Sequence, residues 1–321
     1  MLKTRVTELL GIKYPIQCGT MMWLSKPELV SAVANAGALA CLPAAMFPTA
    51  DELAEAIKQT RGMTDKPFGV NVSLFPALVP RPPEEMIQTI IDNDVKIIET
   101  AGRSPANYIG MIQGAGLTHI HKCARVRDAV KVDGLGVNII SIVGTECGGH
   151  PSMEGVTSMV LIPQAVDAVK APLIAGGGFG DGRAMVIALA MGAEAVNMGT
   201  RFMATKECPM DQKAKDRLVQ AVETDTIMVM QTLGNPSRTL RTPWTEKIVE
   251  MENQGASLED LIPFISGKSG VTGWQAGNVD EGIFPCGQVV GRLHDVPTVA
   301  ELVERIVKEA QETKTKLDSW F

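Results

Sequence analysis

The sequence lacks several patterns that would assign the protein to a class directly. Its first residues contain no signal-peptide hydrophobic region, and no uninterrupted apolar run reaches the length of a transmembrane helix. The six cysteines form no Cys-x-x-Cys pair and no regular framework, which argues against a zinc ribbon or a disulfide scaffold. We therefore expect a soluble, cytoplasmic protein whose cysteines are mostly small core residues.

Two further absences concern partners and fold. Lys and Arg are scattered through a chain of net charge −6, so neither nucleic acid nor an anionic membrane is an expected partner. No Gly-x-Gly-x-x-Gly turn follows the first strand, which argues against a dinucleotide-binding open sheet. We expect a small-molecule substrate, and the oligomeric state stays open, with a homodimer among the alternatives.

Short apolar segments alternate with helical patterns through most of the 321-residue chain. Counting them gives about eight strand–helix units by about residue 200, which is the number of units in a TIM (β/α)8 barrel. The sequence therefore predicts an α/β fold of this type. A doubly wound open sheet is the second candidate.

A smaller lobe interrupts this alternation before the last barrel helix. Over 206–285 the strand pattern stops, and charged helical patterns predict helices near 211–223, 243–254 and 258–265. The predicted barrel comprises 1–205 and 286–321, and the helical lobe 206–285 covers the substrate. We expect a pocket between this lobe and the strand ends, because ligand sites favour domain interfaces and the C-terminal face of a barrel.

Two glycine clusters stand at the ends of consecutive predicted strands. They comprise Gly176, Gly177 and Gly178 after one strand, and Gly199 with Thr200 after the next. The loops after the last two strands of such barrels commonly bind phosphate, and glycine lets the backbone approach a ligand closely. The clusters therefore predict a phosphate site, and tight turns alone are the alternative.

His150 is the first candidate for catalysis. It lies in Cys147–Pro151, directly after the predicted strand 138–142, where a barrel places catalytic side chains. Imidazole can exchange a proton near neutral pH, and the adjacent Gly149 leaves room for a ring system. A loop histidine held by local hydrogen bonds is the alternative interpretation.

Further candidates stand at other strand ends. The Lys122 ammonium could balance the negative charge of a phosphate or of a reduced cofactor, or the residue could be simply a solvated lysine. Asn71 and Ser73 offer hydrogen bonds to a heteroaromatic ring, or could cap a turn. Met21 and Met22 could wall an aromatic cofactor, although methionine more often serves ordinary packing.

Three histidines and one loop support functional interpretations less well. His119 and His121 share one face of a strand, but no third ligand stands nearby, so no metal site is predicted. We expect His294 at the surface. The segment 75–83 contains four prolines and suits a lid over a flat ligand, or a rigid connector.

Taken together, these motifs resemble those of the nitronate monooxygenase family, formerly called 2-nitropropane dioxygenase. The resemblance spans nearly the whole chain in order. The motifs are Gly19–Met21, Asn71, Glu99–Gly102, His121–Cys123, Cys147–Pro151, Gly176–Arg183 and Asn197–Arg201. Within the family group, Glu99–Gly102 and the stretch from His121 look most similar to the NADH:quinone reductase branch.

The resemblance implies an FMN-containing TIM barrel with an added helical lobe. By position, Thr20, Met21 and Met22, with Asn71 or Ser73, would hold the isoalloxazine. Lys122, Gly149 and Gln288 would lie near the flavin; Gly176, Gly177, Gly178, Gly199 and Thr200 would bind the FMN phosphate. His150 matches the family's active-site histidine.

The expected function is reduction of a quinone-like or conjugated acceptor by NADH or NADPH through FMN. Relatives often have Gly-Gly-Met-Gln-Trp where this chain has Gly-Thr-Met-Met-Trp over 19–23, so we expect a less polar pocket. Three alternatives stay open: a nitronate monooxygenase that uses O2, an enoyl-thioester reductase, and a flavin-free barrel that binds a phosphate ligand.

Overall fold

The computed structural model describes residues 3–75, 81–266, 273–274 and 276–320. Eight parallel strands form one sheet in the neighbour order β1-β8-β7-β6-β5-β4-β3-β2. They are β1 (Ile16–Cys18), β2 (Cys41–Pro43), β3 (Gly69–Ser73), β4 (Ile97–Ala101), β5 (Thr118–Cys123), β6 (Ile139–Val143), β7 (Leu173–Gly176) and β8 (Ala195–Met198). A parallel bridge between Gln17 of β1 and Leu39, which lies just before β2, closes the barrel. The TIM (β/α)8 prediction is confirmed.

Helices alternate with these strands along the chain. The first group is α1 (Arg5–Leu10), α2 (Pro27–Asn35), α3 (Ala50–Met63), α4 (Pro83–Asp92), α5 (Ile109–Gly114), α6 (Val126–Asp133), α7 (Ser158–Ala168), α8 (Gly182–Ala190) and α9 (Thr200–Met203). Side-chain caps begin several of them: Thr49 accepts a hydrogen bond from the backbone of Glu52, and Asp181 accepts one from Ala184. None of the described helices combines the length and hydrophobicity required to cross a bilayer.

The lower half of the barrel interior is a dry apolar layer. Because successive side chains of a strand point to opposite faces, every second residue of each strand enters the barrel. At the N-terminal ends of the strands these residues are Leu39, Cys41, Ile97, Ile120, Ile139, Ile174 and Ala195. Val6 and Leu10 of α1 belong to the same buried cluster and cover its base. Glu99, Lys122 and Asn197 follow on the same strand faces, toward the C-terminal ends.

The segment 206–285 contains helices and, in addition, a small sheet that the sequence analysis did not predict. Its helices are α10 (Gln212–Gln220), α11 (Pro243–Asn253) and α12 (Leu258–Ile265), close to the predicted ranges. Strands β9 (Thr226–Val229) and β10 (Ser237–Leu240) pair antiparallel. The lobe is therefore not purely helical. Val229, Met230, Ile248 and Leu261 form a buried apolar cluster of its own, and the predicted domain boundaries stay a prediction.

The last helix, α13 (Val299–Asp318), packs along α8 of the barrel wall. Gly182 makes this approach close: a Cβ atom there would lie 2.4 Å from both the Ala310 nitrogen and the Ile306 carbonyl oxygen. Backbone atoms cannot yield as a flexible side chain can. The proposed lid 75–83 falls largely on residues 76–80, which lie outside the described residues.

Replacing Gly182 by alanine should lower the free energy of unfolding by about 1–3 kcal/mol, because the added methyl group forces α13 away from α8. Urea unfolding followed by circular dichroism measures the change. Gly110→Ala, on exposed helix surface with no atom within 4 Å of the new Cβ, is the matched control. We expect that variant to be as stable as the parent or slightly more so. Equal stability of the two variants would contradict the close-packing argument.

Candidate active site

A cavity of about 380 Å³ opens at the C-terminal ends of the barrel strands. Its wall is mostly apolar, with Met21, Met22, Leu24, Phe75, Val143, Phe179, Met203, Trp274, Pro285 and Val289. Trp274 and Pro285 come from the lobe segment, so the cavity lies where the sequence predicted a pocket. An apolar wall with a few placed polar groups is the usual character of a small-molecule site.

Most of the predicted site residues line this cavity. They are Thr20, Met21, Met22, Lys122, Gly149, His150, Gly176, Gly177, Gly178, Gly199 and Thr200. Three others do not: Asn71 is buried below the cavity, Ser73 accepts a hydrogen bond from the Phe75 nitrogen, and Gln288 is exposed on a short 3₁₀ turn. Whether any of them contacts a cofactor stays a prediction.

Glu99 organises the floor of the cavity, although the sequence analysis assigned it no role. Its carboxylate has no exposed surface. Oε1 accepts hydrogen bonds from Thr20 Oγ1 at 2.9 Å, Asn71 Nδ2 at 2.7 Å and Lys122 Nζ at 3.3 Å. Oε2 accepts one from Gln17 Nε2 at 2.7 Å. A buried charge with this many donors is held in a single position.

The charge state of Glu99 follows from a competition between burial and its partners. Burial by itself would raise the pKa of the carboxyl, but the Lys122 ammonium and the hydrogen bonds from Thr20, Gln17 and Asn71 outweigh it. The pKa therefore lies below its ordinary value of 4.5. Glu99 is a carboxylate at neutral pH, paired with the ammonium of Lys122.

Several polar atoms beside this carboxylate have no hydrogen-bond partner among the described residues. They are Gln17 Oε1, Ser141 Oγ and Asn197 Oδ1, all buried. Register places Gln17 beside Asn197 and Lys122 beside Ser141, so these side chains share one layer of the barrel. Of these residues Asn197 lines the cavity, so a ligand edge with a hydrogen-bond donor would satisfy its buried amide oxygen. The pyrimidine edge of an isoalloxazine carries such a donor.

The glycines after β7 and β8 leave space that side chains would fill. A Cβ atom at Gly199 would meet no atom within 4 Å, and one at Gly178 would come only to 3.6 Å from Glu146 Cβ. Both residues line the cavity, so side chains there would occupy it. Gly177 and Gly178 have φ of +94° and +82°, which favours glycine for a separate reason, and Gly177 also packs against Gly144. The bare backbone at Gly178 and Gly199 fits a close-lying phosphate.

The N-terminus of α7 is already occupied by a protein carboxylate. The backbone nitrogen of Ser158 donates to both oxygens of Glu146 at 3.0 Å, and Ser158 Oγ donates to Oε2 at 3.0 Å. Ser158 Oγ also lies 2.8 Å from the Gly177 carbonyl oxygen. The Ser158 donors at this helix N-terminus are therefore not available to an anionic ligand.

His150 lies on the cavity wall and is anchored to the lobe. Its Nδ1 lies 3.1 Å from the Pro236 carbonyl oxygen, so Nδ1 carries the proton and Nε2 has the lone pair in the neutral ring. His150 keeps exposed surface of its own, but desolvation by the surrounding protein lowers its pKa below 6.5, opposed by hydrogen bonds with Pro236 and Asn235. The ring also packs at 5.9 Å from that of Phe75. His150 is therefore neutral at pH 7 with its tautomer set.

The histidines His119 and His121 lie outside the barrel interior. Both rings contact Thr100 Oγ1, at 2.6 Å from His119 Nε2 and 2.7 Å from His121 Nδ1, which confirms their shared strand face. Burial lowers the pKa of His119 to about 3 and that of His121 to about 4, so both are neutral structural residues. His294 is exposed, as expected. Within the described part of the chain no cluster of His, Cys, Asp and Glu could hold a metal ion.

The model of the family described as nitronate monooxygenase matches residues 3–83 and 77–309. The (3aS,4S,5R,7aS)-5-hydroxy-7a-methyl-1-oxo-octahydro-1H-indene-4-carboxyl-CoA dehydrogenase of Mycobacterium tuberculosis is 33% identical, over 96% of each chain. The FabK structure from Thermotoga maritima has a TM-score of 0.92 and 35% identity, covering 100% of both chains. The nitroalkane oxidase from Streptomyces ansochromogenes has a TM-score of 0.84 and 25% identity, over 98% of this chain and 100% of the other.

The chain therefore belongs to the nitronate monooxygenase family. The family and these relatives are oxidoreductases, and the resemblance noted in the sequence is confirmed at this level. The names of the relatives differ in substrate.

Replacing Glu99 by glutamine should cost about 3 kcal/mol of stability at pH 7, because it leaves the Lys122 ammonium without its counter-charge. The pKa of Glu99 is lowered by folding, so its ionised form stabilises the protein at pH values above 4.5. That contribution is lost as the pH falls through the lowered pKa. Urea unfolding of both proteins from pH 7 to pH 3 should show a difference that is constant above pH 5 and shrinks below 4.5. A difference independent of pH would exclude this assignment.

Proposed function

We propose that this protein is an FMN-dependent oxidoreductase that uses NADH or NADPH to reduce a quinone-like or conjugated acceptor. The family membership supports oxidoreductase chemistry, and the cavity supports a flat, weakly polar acceptor. Its wall is mostly apolar, and the polar side chains in it include Thr20, Lys122, Glu146, His150, Asn197 and Thr200.

The observation that carries this proposal concerns His150: the other titratable side chains of the cavity are paired or unreactive, and His150 can exchange a proton. Among the described residues that line the cavity, the titratable side chains are Lys122, Glu146, Cys147 and His150. Lys122 is paired with Glu99, and Glu146 is bonded to Ser158. Burial raises the pKa of the Cys147 thiol to about 11, which keeps it protonated and unreactive. His150 is left as the group that can exchange a proton near neutral pH.

The residues present fit the flavin at both of its ends. Thr20, Met21, Lys122 and the unpaired oxygen of Asn197 would hold the isoalloxazine, and the bare backbone at Gly178 and Gly199 would hold the phosphate. Bound FMN would supply the two-electron chemistry of the reaction. The apolar wall excludes water from the reacting region.

His150 would donate or accept the proton that accompanies this redox change. The Nδ1 hydrogen bond to Pro236 holds the ring, so a proton enters and leaves at Nε2. In the reductive direction the imidazolium would donate it to the acceptor, and in the oxidative direction the neutral ring would take it. Because folding lowers the pKa of His150, the protonated fraction falls as the pH rises through and above that pKa.

An enoyl thioester is a second candidate acceptor within the conjugated class. It is favoured by the CoA-linked substrate in the name of the M. tuberculosis relative, which matches 96% of this chain. Quinones and enoyl thioesters share a carbonyl-conjugated double bond, so one cavity and one proton donor can serve either. Nitronate oxidation with O2 differs because it needs no nicotinamide.

The spectrum of the purified protein under anaerobic conditions tests the proposal. FMN absorbance that is bleached by NADH or NADPH, and restored by a quinone or an enoyl-CoA, is the expected result. Comparison of the two acceptors assigns the substrate class. Bleaching by a nitronate and not by either nicotinamide would replace the proposal with nitronate oxidation. A protein that binds no flavin would favour the phosphate-ligand barrel.

Replacing Gly199 by valine should prevent FMN binding without unfolding the protein. Its new side chain meets no protein atom at Cβ and extends into the cavity. We expect at least about tenfold weaker FMN binding, measured by quenching of flavin fluorescence, with an unchanged unfolding midpoint when the flavin-free proteins are compared. Gly114→Ala, also free of contacts within 4 Å, is the control and should bind FMN normally. Full FMN binding by the valine variant would place the flavin elsewhere.

Replacing His150 by alanine should lower kcat by about 100-fold or more while FMN stays bound, because the loss of a general acid–base group acts on turnover. Stopped-flow and steady-state assays with each acceptor measure the effect. His294→Ala removes an exposed histidine away from the cavity and serves as the control. Unchanged rates with every acceptor after removal of His150 would exclude its role in proton transfer.

A further inference from the structure

The Glu99 carboxylate is buried directly behind two groups of the cavity wall. Glu99 itself has no exposed surface and does not line the cavity. Thr20 and Lys122 do line it, and both donate to Glu99 Oε1, at 2.9 Å and 3.3 Å. Any influence of Glu99 on a ligand therefore passes through these two residues or through its electric field.

The two charges at the cavity floor lie at different depths below the cavity. The Lys122 side chain is 20% exposed, whereas that of Glu99 is fully buried. The ammonium therefore lies nearer the cavity, and the carboxylate lies behind it as a counter-charge. Interactions of buried charges are weakly screened, so each charge acts on a bound ligand with little attenuation by solvent.

Stability alone does not account for a carboxylate at this position. The layer immediately below is filled by apolar side chains such as Ile97, Ile120 and Ile139. Burying an ion pair carries a large desolvation cost, and hydrocarbon of similar volume is often as stabilising or more so. The barrel can thus be packed without the pair, and the pair is placed where the interior meets the ligand cavity.

We propose that Glu99 is a positioning residue that holds the Lys122 ammonium and the Thr20 hydroxyl against the flavin and, as counter-charge, sets the reduction potential of that flavin. The inference rests on the proposed function, since it concerns the same site. Reduction adds negative charge to the flavin, which the ammonium favours and the carboxylate opposes. Removal of the carboxylate should therefore shift the reduction potential in one direction, and removal of the ammonium should shift it in the other.

Reduction potentials of FMN-loaded variants, measured by equilibration with redox dyes, test this assignment. Glu99→Gln leaves the ammonium uncompensated, so the potential should become more positive than in the parent protein. Lys122→Met keeps the hydrocarbon stem and removes the ammonium, so the potential should become more negative. The double variant should lie near the parent, because it removes both charges.

A buried carboxylate far from the cavity provides the matched control. Glu252 lies in the lobe and accepts hydrogen bonds from the Met230 nitrogen, the Thr232 nitrogen and Thr232 Oγ1. Glu252→Gln should alter stability without moving the potential. This comparison separates a specific electrostatic effect on the flavin from general loosening of the fold.

The outcomes decide between the inference and the function on which it rests. Flavin-loaded Glu99→Gln with the parent potential would overturn the inference alone and leave Glu99 a structural residue. If Glu99→Gln does not fold, Lys122→Met decides, and an unchanged potential in that variant overturns the inference. A parent protein that binds no FMN would overturn the proposed function, and the inference with it.

Discussion

A buried negative charge has to be surrounded by hydrogen-bond donors. In this chain the donors to one buried carboxylate come from several barrel strands and lie in one layer of the barrel. Glu99 on β4 is bonded to Gln17 on β1, Asn71 on β3 and Lys122 on β5, and to Thr20 just after β1. Below this level the barrel is apolar, and above it the cavity opens. The carboxylate thus marks the boundary between the part of the barrel that provides stability and the part that can bind a ligand.

The barrel and much of its cavity could be predicted from sequence because the signals are local. Apolar runs separated by helical patterns predicted about eight strand–helix units, and the predicted strand 138–142 overlaps β6. Gly199 directly follows β8, Gly178 lies in the turn after β7, and His150 lies in the loop after β6; all three line the cavity. Position after a strand is sufficient in a barrel, since all strand ends meet at one face.

The remaining features depend on contacts between distant segments. The strand Ile97–Ala101 carries a charged residue in an otherwise apolar inner face, which was a visible signal for Glu99, but its partners follow only from the register of the closed sheet. The strands β9 and β10 were missed because segments of four residues are too short to show a period, and because pairing with each other stabilises them. Nor does local sequence reveal that Pro236 would hold His150, 86 residues earlier.

The contact between the His150 loop and the lobe has a consequence for how the two parts evolve. Gly149 and Arg238 exchange backbone hydrogen bonds at 3.0 Å and 2.7 Å, so the barrel loop extends the sheet of the lobe by one bridge. The Arg238 guanidinium adds a bond to the Thr145 carbonyl. An inserted lobe is usually an appendage that a barrel can exchange freely. Here the insertion orients the imidazole, so a graft of another lobe onto this barrel would change the chemistry of the site as well as its cover.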